Sequence, residues 1–179
     1  MVNRRREFMS VGALAGAAFA ASTTACRRSS YGILTESEAA TLTILCDQII
    51  PADDYPSASQ AGVLTYIDHQ LMGPYCRHRR AYASGLQQAN LLAKTRFGID
   101  LAAASPPQQL EIVTALEAEN KPFFDLVRNH TMQGYYGSPR HGGNRDANSW
   151  RMLGLDEPPV RGRAQYDLTQ SDMTGGSKS

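Results

Sequence analysis

Apolar side chains recur every three or four positions through the middle of this chain, the spacing of helices that bury one face. Ala39, Leu42, Cys46 and Ile49 form the first stripe. Thr35 followed by Glu38 supplies a capping box at its start, and Pro51 stops it. A second helix is expected from about Ser59 to Met72, with Val63, Leu64, Ile67 and Leu71 inward and Gly73-Pro74 as its breaker. A third runs from about Tyr75 to Arg96 on Tyr82, Leu86, Ala89 and Ala93, with Phe97 just beyond and Gly98 as its cap. Ser105-Pro106-Pro107-Gln108 opens a fourth, 106–119, whose buried side is marked by Leu110, Val113 and Leu116. Lys121-Pro122 starts a fifth, carrying Phe123, Phe124, Val127 and Thr131. No segment alternates with period two. The expectation is an all-α fold, a small helical domain of about five helices over residues 35–136 with an extended, irregular C-terminal arm.

The pattern changes at both ends. Arg5-Arg6 with Phe8 precedes an uncharged, Ala/Gly-rich run from Ser10 to Ala25, the layout of a twin-arginine (Tat) export signal over residues 1–25. That run is short and weakly apolar beside the ~20 predominantly apolar residues of a membrane span. Ala18-Phe19-Ala20 offers one cleavage end, and Thr23-Thr24-Ala25-Cys26 offers a lipoprotein-like alternative that would lipidate Cys26. Residues 26–34 read as a linker. Beyond the fifth helix, residues 137–168 read as a Gly/aromatic loop and a partner-wrapping arm, with a short helix around Trp150, and residues 169–179 as a disordered tail. The export signal places the protein in the periplasm, by way of the Tat translocase.

A chain of 179 residues suits one domain with a modest core. Its formal net charge is +1, and removal of Arg4, Arg5, Arg6 and Glu7 with the signal leaves −1. That balance argues against a nucleic-acid partner, which calls for a clear basic excess. In an oxidising compartment Cys46 and Cys76 could pair; the alternative is that Cys46 is a small core side chain. No Cys-x-x-Cys-His occurs, so this chain attaches no c-type haem.

Two segments carry a family resemblance. One is Leu45-Cys46-Asp47-Gln48-Ile49-Ile50-Pro51-Ala52-Asp53, continuing through Ser59, Gly62 and Val63 to Tyr66-Ile67-Asp68. The other is Gly134-Tyr135-Tyr136, then Pro139, His141-Gly142-Gly143-Asn144, and Trp150 to Gly154. Over residues 35–160 the chain resembles the small subunit of gluconate 2-dehydrogenase, the subunit 3 family. The resemblance implies a non-catalytic partner of a large FAD-dependent dehydrogenase of the glucose-methanol-choline type, which is exported together with it. The substrates of such enzymes are sugars, polyols, sugar acids or glycosides, and a cytochrome carrying haem c takes the electrons. No cofactor or metal is expected in this chain itself. His141 stands where the family pattern has a bulky aromatic, and Gly154-Leu155-Asp156-Glu157-Pro158-Pro159 replaces its Gly-Tyr-Pro-Gly type of ending. Both departures bear on which partner is bound rather than on the fold.

No catalytic constellation emerges from the residues. His69, His78, His130 and His141 lack metal-ligand spacing. His130 reads as a satisfied packing residue, and the neighbours Asp68 and His69 point apart on a helix and form no dyad. Asp53 and Asp54 read as loop-stabilising carboxylates, and Gly142-Gly143 lacks the strand-and-helix setting of a dinucleotide loop. Arg77-His78-Arg79-Arg80 reads as a solvated helix face or a contact for an acidic partner. The best interface candidates are Tyr135, Tyr136, Pro139, Arg140, His141, Gly142, Gly143, Asn144 and Trp150, because Tyr, Trp and Arg anchor interfaces most often. Two other readings compete: an independent small enzyme using Arg140, His141 and Asp146, and a stand-alone lipid-anchored helical binding protein held by Cys26.

Overall fold

The computed structural model describes residues 30–155. The export-signal residues Arg5, Arg6 and Phe8, the lipidation candidate Cys26, the outer part of the arm and the tail lie outside the described residues. Six α-helices follow one another: α1 (Glu36–Ile49), α2 (Val63–Met72), α3 (Arg79–Phe97), α4 (Pro106–Glu119), α5 (Lys121–Tyr136) and the short α6 (Asn148–Met152). Among the described residues there are no strands, so the all-α expectation holds. α5 is the hub and packs against each of the other five helices.

The predicted stripes fill the core. Leu42, Leu45 and Cys46 of α1 meet Val63, Ile67 and Leu71 of α2, Tyr82, Leu86, Ala89 and Ala93 of α3, and Phe123 and Val127 of α5. Both expected capping devices form: the Thr35 N–H donates to Glu38 Oε2 at 2.9 Å and the Ser105 N–H to Gln108 Oε1 at 2.9 Å. One stripe position was misread. Leu110 is 56% exposed, and Ile112 takes the buried place beside Val113 and Leu116. At 3.6 residues per turn, Leu110 lies about 110° around α4 from the centre of that stripe.

Two boundaries also shift. α2 starts at Val63 rather than near Ser59, because residues 57–62 are used in a turn. Asp47 draws that turn onto α1, accepting from the Ser59 N–H (2.8 Å) and the Ser59 hydroxyl (2.7 Å). The expected third helix is preceded by a separate 3-10 turn, Cys76–His78. The Cys46–Cys76 disulfide is not formed; both thiols are free, one buried and one exposed. Cys46 is a core side chain, accepts from the Thr131 hydroxyl at 3.3 Å, and has its thiol pKa pushed up to about 12 by burial.

The end of the supposed linker is part of the domain. Leu34 is buried, and the Asp68 carboxylate of α2 accepts three successive backbone N–H groups, from Gly32 (2.7 Å), Ile33 (2.9 Å) and Leu34 (3.0 Å). Asp68 is itself 3% exposed, so this anionic side chain is held in the interior by backbone dipoles. Asp68→Ala strands all three donors. Urea unfolding of the variant is expected to show a loss of about 3 kcal/mol, with Asp68→Asn, which keeps one acceptor, losing less; an unchanged midpoint in Asp68→Ala would show that the carboxylate does not hold this segment.

Candidate partner interface

The two segments that carry the family resemblance are clasped together. The Arg145 N–H donates to the Ala61 carbonyl at 2.8 Å, and the Tyr135 hydroxyl donates to the Pro56 carbonyl at 2.8 Å. Glycine makes the approach possible. A Cβ on Gly143 would sit 2.2 Å from the Gly134 carbonyl oxygen, and one on Gly142, whose φ is +94°, would meet His69 Nδ1 at 3.1 Å. Gly143 therefore serves close packing on the backbone of α5 and Gly142 close packing on the His69 and Thr65 side chains of α2, while between the two segments it is Gly62 (φ +84°) whose Cβ would meet the Gly142 carbonyl oxygen at 2.9 Å.

Asn144 is the pin of this loop. It is fully buried, donates from Nδ2 to the Gly137 carbonyl (2.9 Å) and accepts the Ser149 N–H at Oδ1 (2.9 Å). Around it the backbone is strained. Asn144 (φ 43°), Asp146 (φ 57°) and Ala147 (φ 51°) all take left-handed conformations without being glycine. Each such residue costs on the order of 1 kcal/mol or more and persists only where surroundings over-determine it. Here the surroundings are the Asn144 bonds, the Arg145–Ala61 bond, and the Trp150 indole N–H, which donates to the Tyr136 carbonyl at 2.9 Å. The buried Ser149 hydroxyl has no partner among the described residues, a further cost carried by the same loop.

The nine interface candidates thus divide. Tyr135, Gly143 and Asn144 are buried and serve the chain's own packing. Gly142, Pro139 and Trp150 are partly covered. Tyr136, Arg140 and His141 are exposed, and the Arg140 and His141 side chains make no hydrogen bond or ion pair among the described residues. Leu153 and Leu155, 55% and 54% exposed just after α6, extend the apolar surface next to Trp150; sequence reasoning missed them because they follow no helical stripe. Arg140, His141 and Asp146 make no hydrogen bond or ion pair with one another, so the loop does not assemble them into an acid–base unit.

The remaining chemistry-bearing residues are structural. Asp53 accepts the Tyr55 N–H at 2.8 Å within its own loop. No group of three or more His, Cys, Asp or Glu side chains positioned to hold a metal occurs among the described residues. His130 is the satisfied packing residue it was read as. It is 5% exposed, its Nδ1 lies 2.9 Å from the Tyr82 hydroxyl, and the Tyr75 ring stacks on it with centroids 4.5 Å apart. Burial, then the nearby His78 and Arg77, lowers its pKa to about 4.

The family model described as gluconate 2-dehydrogenase subunit 3 matches residues 36–156, and the chain belongs to that family. No curated protein and no solved structure matches it. The match spans both clasped segments and the strained loop, and its description is that of a subunit of a dehydrogenase.

Two outcomes follow from this geometry. Ala147→Gly, which removes a left-handed Cβ, is expected to raise stability by about 0.5–1 kcal/mol, while Asn144→Ala lowers it by about 2 kcal/mol or more; thermal melts check both, and a destabilised Ala147→Gly would show the loop to be relaxed. For His130 the folded value of about 4 lies below the ordinary 6.5, so the unfolded chain takes up the proton first. Stability is complete above about pH 6.5, falls as the pH drops towards 4, and levels off below, by up to about 3 kcal/mol. Unfolding midpoints between those pH values should lose this share of their slope in His130→Asn; an unaltered slope would place the acid sensitivity elsewhere.

Proposed function

We propose that this member of the gluconate 2-dehydrogenase subunit 3 family is the non-catalytic small subunit of a periplasmic FAD-dependent dehydrogenase. The large subunit would be of the glucose-methanol-choline type and would oxidise CH–OH groups of sugars, polyols, sugar acids such as gluconate, or glycosides. FAD would reside in that subunit, and a cytochrome with haem c would receive the electrons. The signal carrying Arg5, Arg6 and Phe8 would take both subunits through the Tat translocase, with this chain stabilising its partner on the way.

The observation that carries the reading, beside the family match, is the loop 137–147. It is costly in backbone energy, over-anchored from within, and presents Tyr136, Arg140 and His141 beside Trp150, Leu153 and Leu155. A loop held rigid before contact loses little ordering entropy on binding, and aromatic and Arg side chains are the usual anchors.

Co-expression with the large flavoprotein tests the reading. Removing residues 1–25 is expected to leave flavoprotein activity in the cytoplasm, and Trp150→Ala or Tyr136→Ala to weaken the complex by about 2 kcal/mol each. A flavoprotein exported and active without this signal would overturn the escort role, and a complex indifferent to both substitutions would overturn this surface as its seat.

A further inference from the structure

A second feature is unused by the loop. Between α3 and α5 runs an open groove of about 320 Å³, lined by His78, Ala81 and Ser84 on one side and by Pro122, Phe123 and Leu126 on the other. Its α3 rim is cationic without internal reason. From His69 to Ile99 the chain holds no Asp or Glu but has Arg77, Arg79, Arg80, Lys94 and Arg96. Three of these arginines cluster at the start of α3, where the helix dipole disfavours positive charge.

Arg79 has an evident role. Its Nε donates to the Leu71 carbonyl (2.8 Å) and Nη2 to the Met72 carbonyl (3.2 Å), closing the end of α2. Arg77 and Arg80 do not. The Arg77 side chain only donates to its neighbour His78 Nε2 at 3.1 Å, and the Arg80 guanidinium makes no hydrogen bond or ion pair among the described residues. The carboxylate of α5, Asp125, is already held by Lys121 (3.0 Å) and Arg128 (3.3 Å). Two exposed guanidinium groups thus stand at the unfavourable end of a helix beside an apolar trough, with no anion among the described residues to meet them. A local rule broken without internal compensation points outward.

We infer that the α3–α5 groove docks an acidic segment of the large subunit, one apolar side chain entering between Ala81 and Leu126 while carboxylates meet Arg77 and Arg80. The inference rests on the accessory-subunit reading and names the chemistry of the partner at a second place. It is continuous with the loop surface. On α5 the exposed residues Pro122, Asn129, Gln133 and Tyr136 share one face with half-buried Leu126, so one face of the molecule carries the groove at one end and the loop at the other.

The test uses the full-length tagged chain co-expressed with its flavoprotein, with a photo-crosslinking benzoylphenylalanine at Ser84. The expected product is a cross-link to a flavoprotein peptide that bears Asp or Glu around an apolar residue. Separately, the double variant R77E/R80E, its helix content unchanged by circular dichroism, should bind the flavoprotein about tenfold or more weakly and lose most of the salt dependence of the wild-type complex. A cross-link to a second copy of this chain, a cross-link to a partner peptide without carboxylates, no cross-link in a complex that does form, or a double variant that binds like the wild type would each overturn the inference alone and leave the accessory-subunit reading standing. If the wild-type chain brings down no flavin-bearing partner, the reading and the inference fall together.

Discussion

Everything distinctive about this small domain depends on how closely its backbone approaches itself where residues 61–62 meet residues 142–145. The Arg145–Ala61 hydrogen bond spans two loops that are far apart in sequence, and the bare Cα of Gly62, where a Cβ would sit 2.9 Å from the Gly142 carbonyl oxygen, allows them to touch. That contact fixes where Asn144 sits, and Asn144 in turn fixes Gly137 and Ser149. The three left-handed residues are tolerable only because these anchors leave the chain no cheaper path. A protein with a core of this size has little stability to spare. Spending some of it to hold a surface loop in one shape makes physical sense when the shape is what another molecule reads.

The polar residues of the first family segment have an unexpected economy. Asp47 organises the 57–62 turn, and Asp68 gathers the backbone of residues 32–34. Carboxylates in a family motif invite a chemical reading, yet here each accepts hydrogen bonds from its own chain, Asp68 from three backbone N–H groups and Asp47 from the N–H and hydroxyl of Ser59. The motif specifies how the loops are tied down; what the tied loops present is left to Tyr136, Arg140, His141 and the groove beyond.

The helical core was legible because burial imposes a period that survives without coordinates: most inward residues of α1, α2, α3 and α5 follow from spacing, though Leu45, Tyr66 and Tyr135 are buried beside the stripes and Ile49 is only half-buried. The phase of α4 was not, since Leu110 fits a three-residue step from Val113 as well as Ile112 fits the true stripe, and only contact with α1, α3 and α5 decides between them. Long-range polar ties were invisible for a different reason. Asp68 meets residues 34 to 36 positions away, and nothing in the sequence near Asp68 announces an acceptor for backbone donors. The candidate interface was half legible. The residue types pointed to one segment, but the split between buried Tyr135 and exposed Tyr136 depends on which side of α5 each takes, and the strain at Asn144, Asp146 and Ala147 has no signature in composition.

α5 brings these strands together. Its buried side holds Phe123, Val127, His130 and Thr131 in the core, so its orientation is fixed by contact with five other helices. Its opposite side runs from Pro122, at the groove, to Tyr136, at the loop. Those ends are about 21 Å apart at the rise of an α-helix, and Gln133, accepting from the Tyr75 hydroxyl at 2.9 Å, ties the span to the segment that leads into α3. A face of this length matches one side of a standard protein–protein interface, about 800 Å² per partner. Because a single rigid helix sets the distance between groove and loop, a partner that fits both must present its acidic segment and its loop-binding surface at a matching separation. Specificity can then come from spacing as much as from contacts, which suits a chain whose closest fit to the outside world is a surface rather than a pocket.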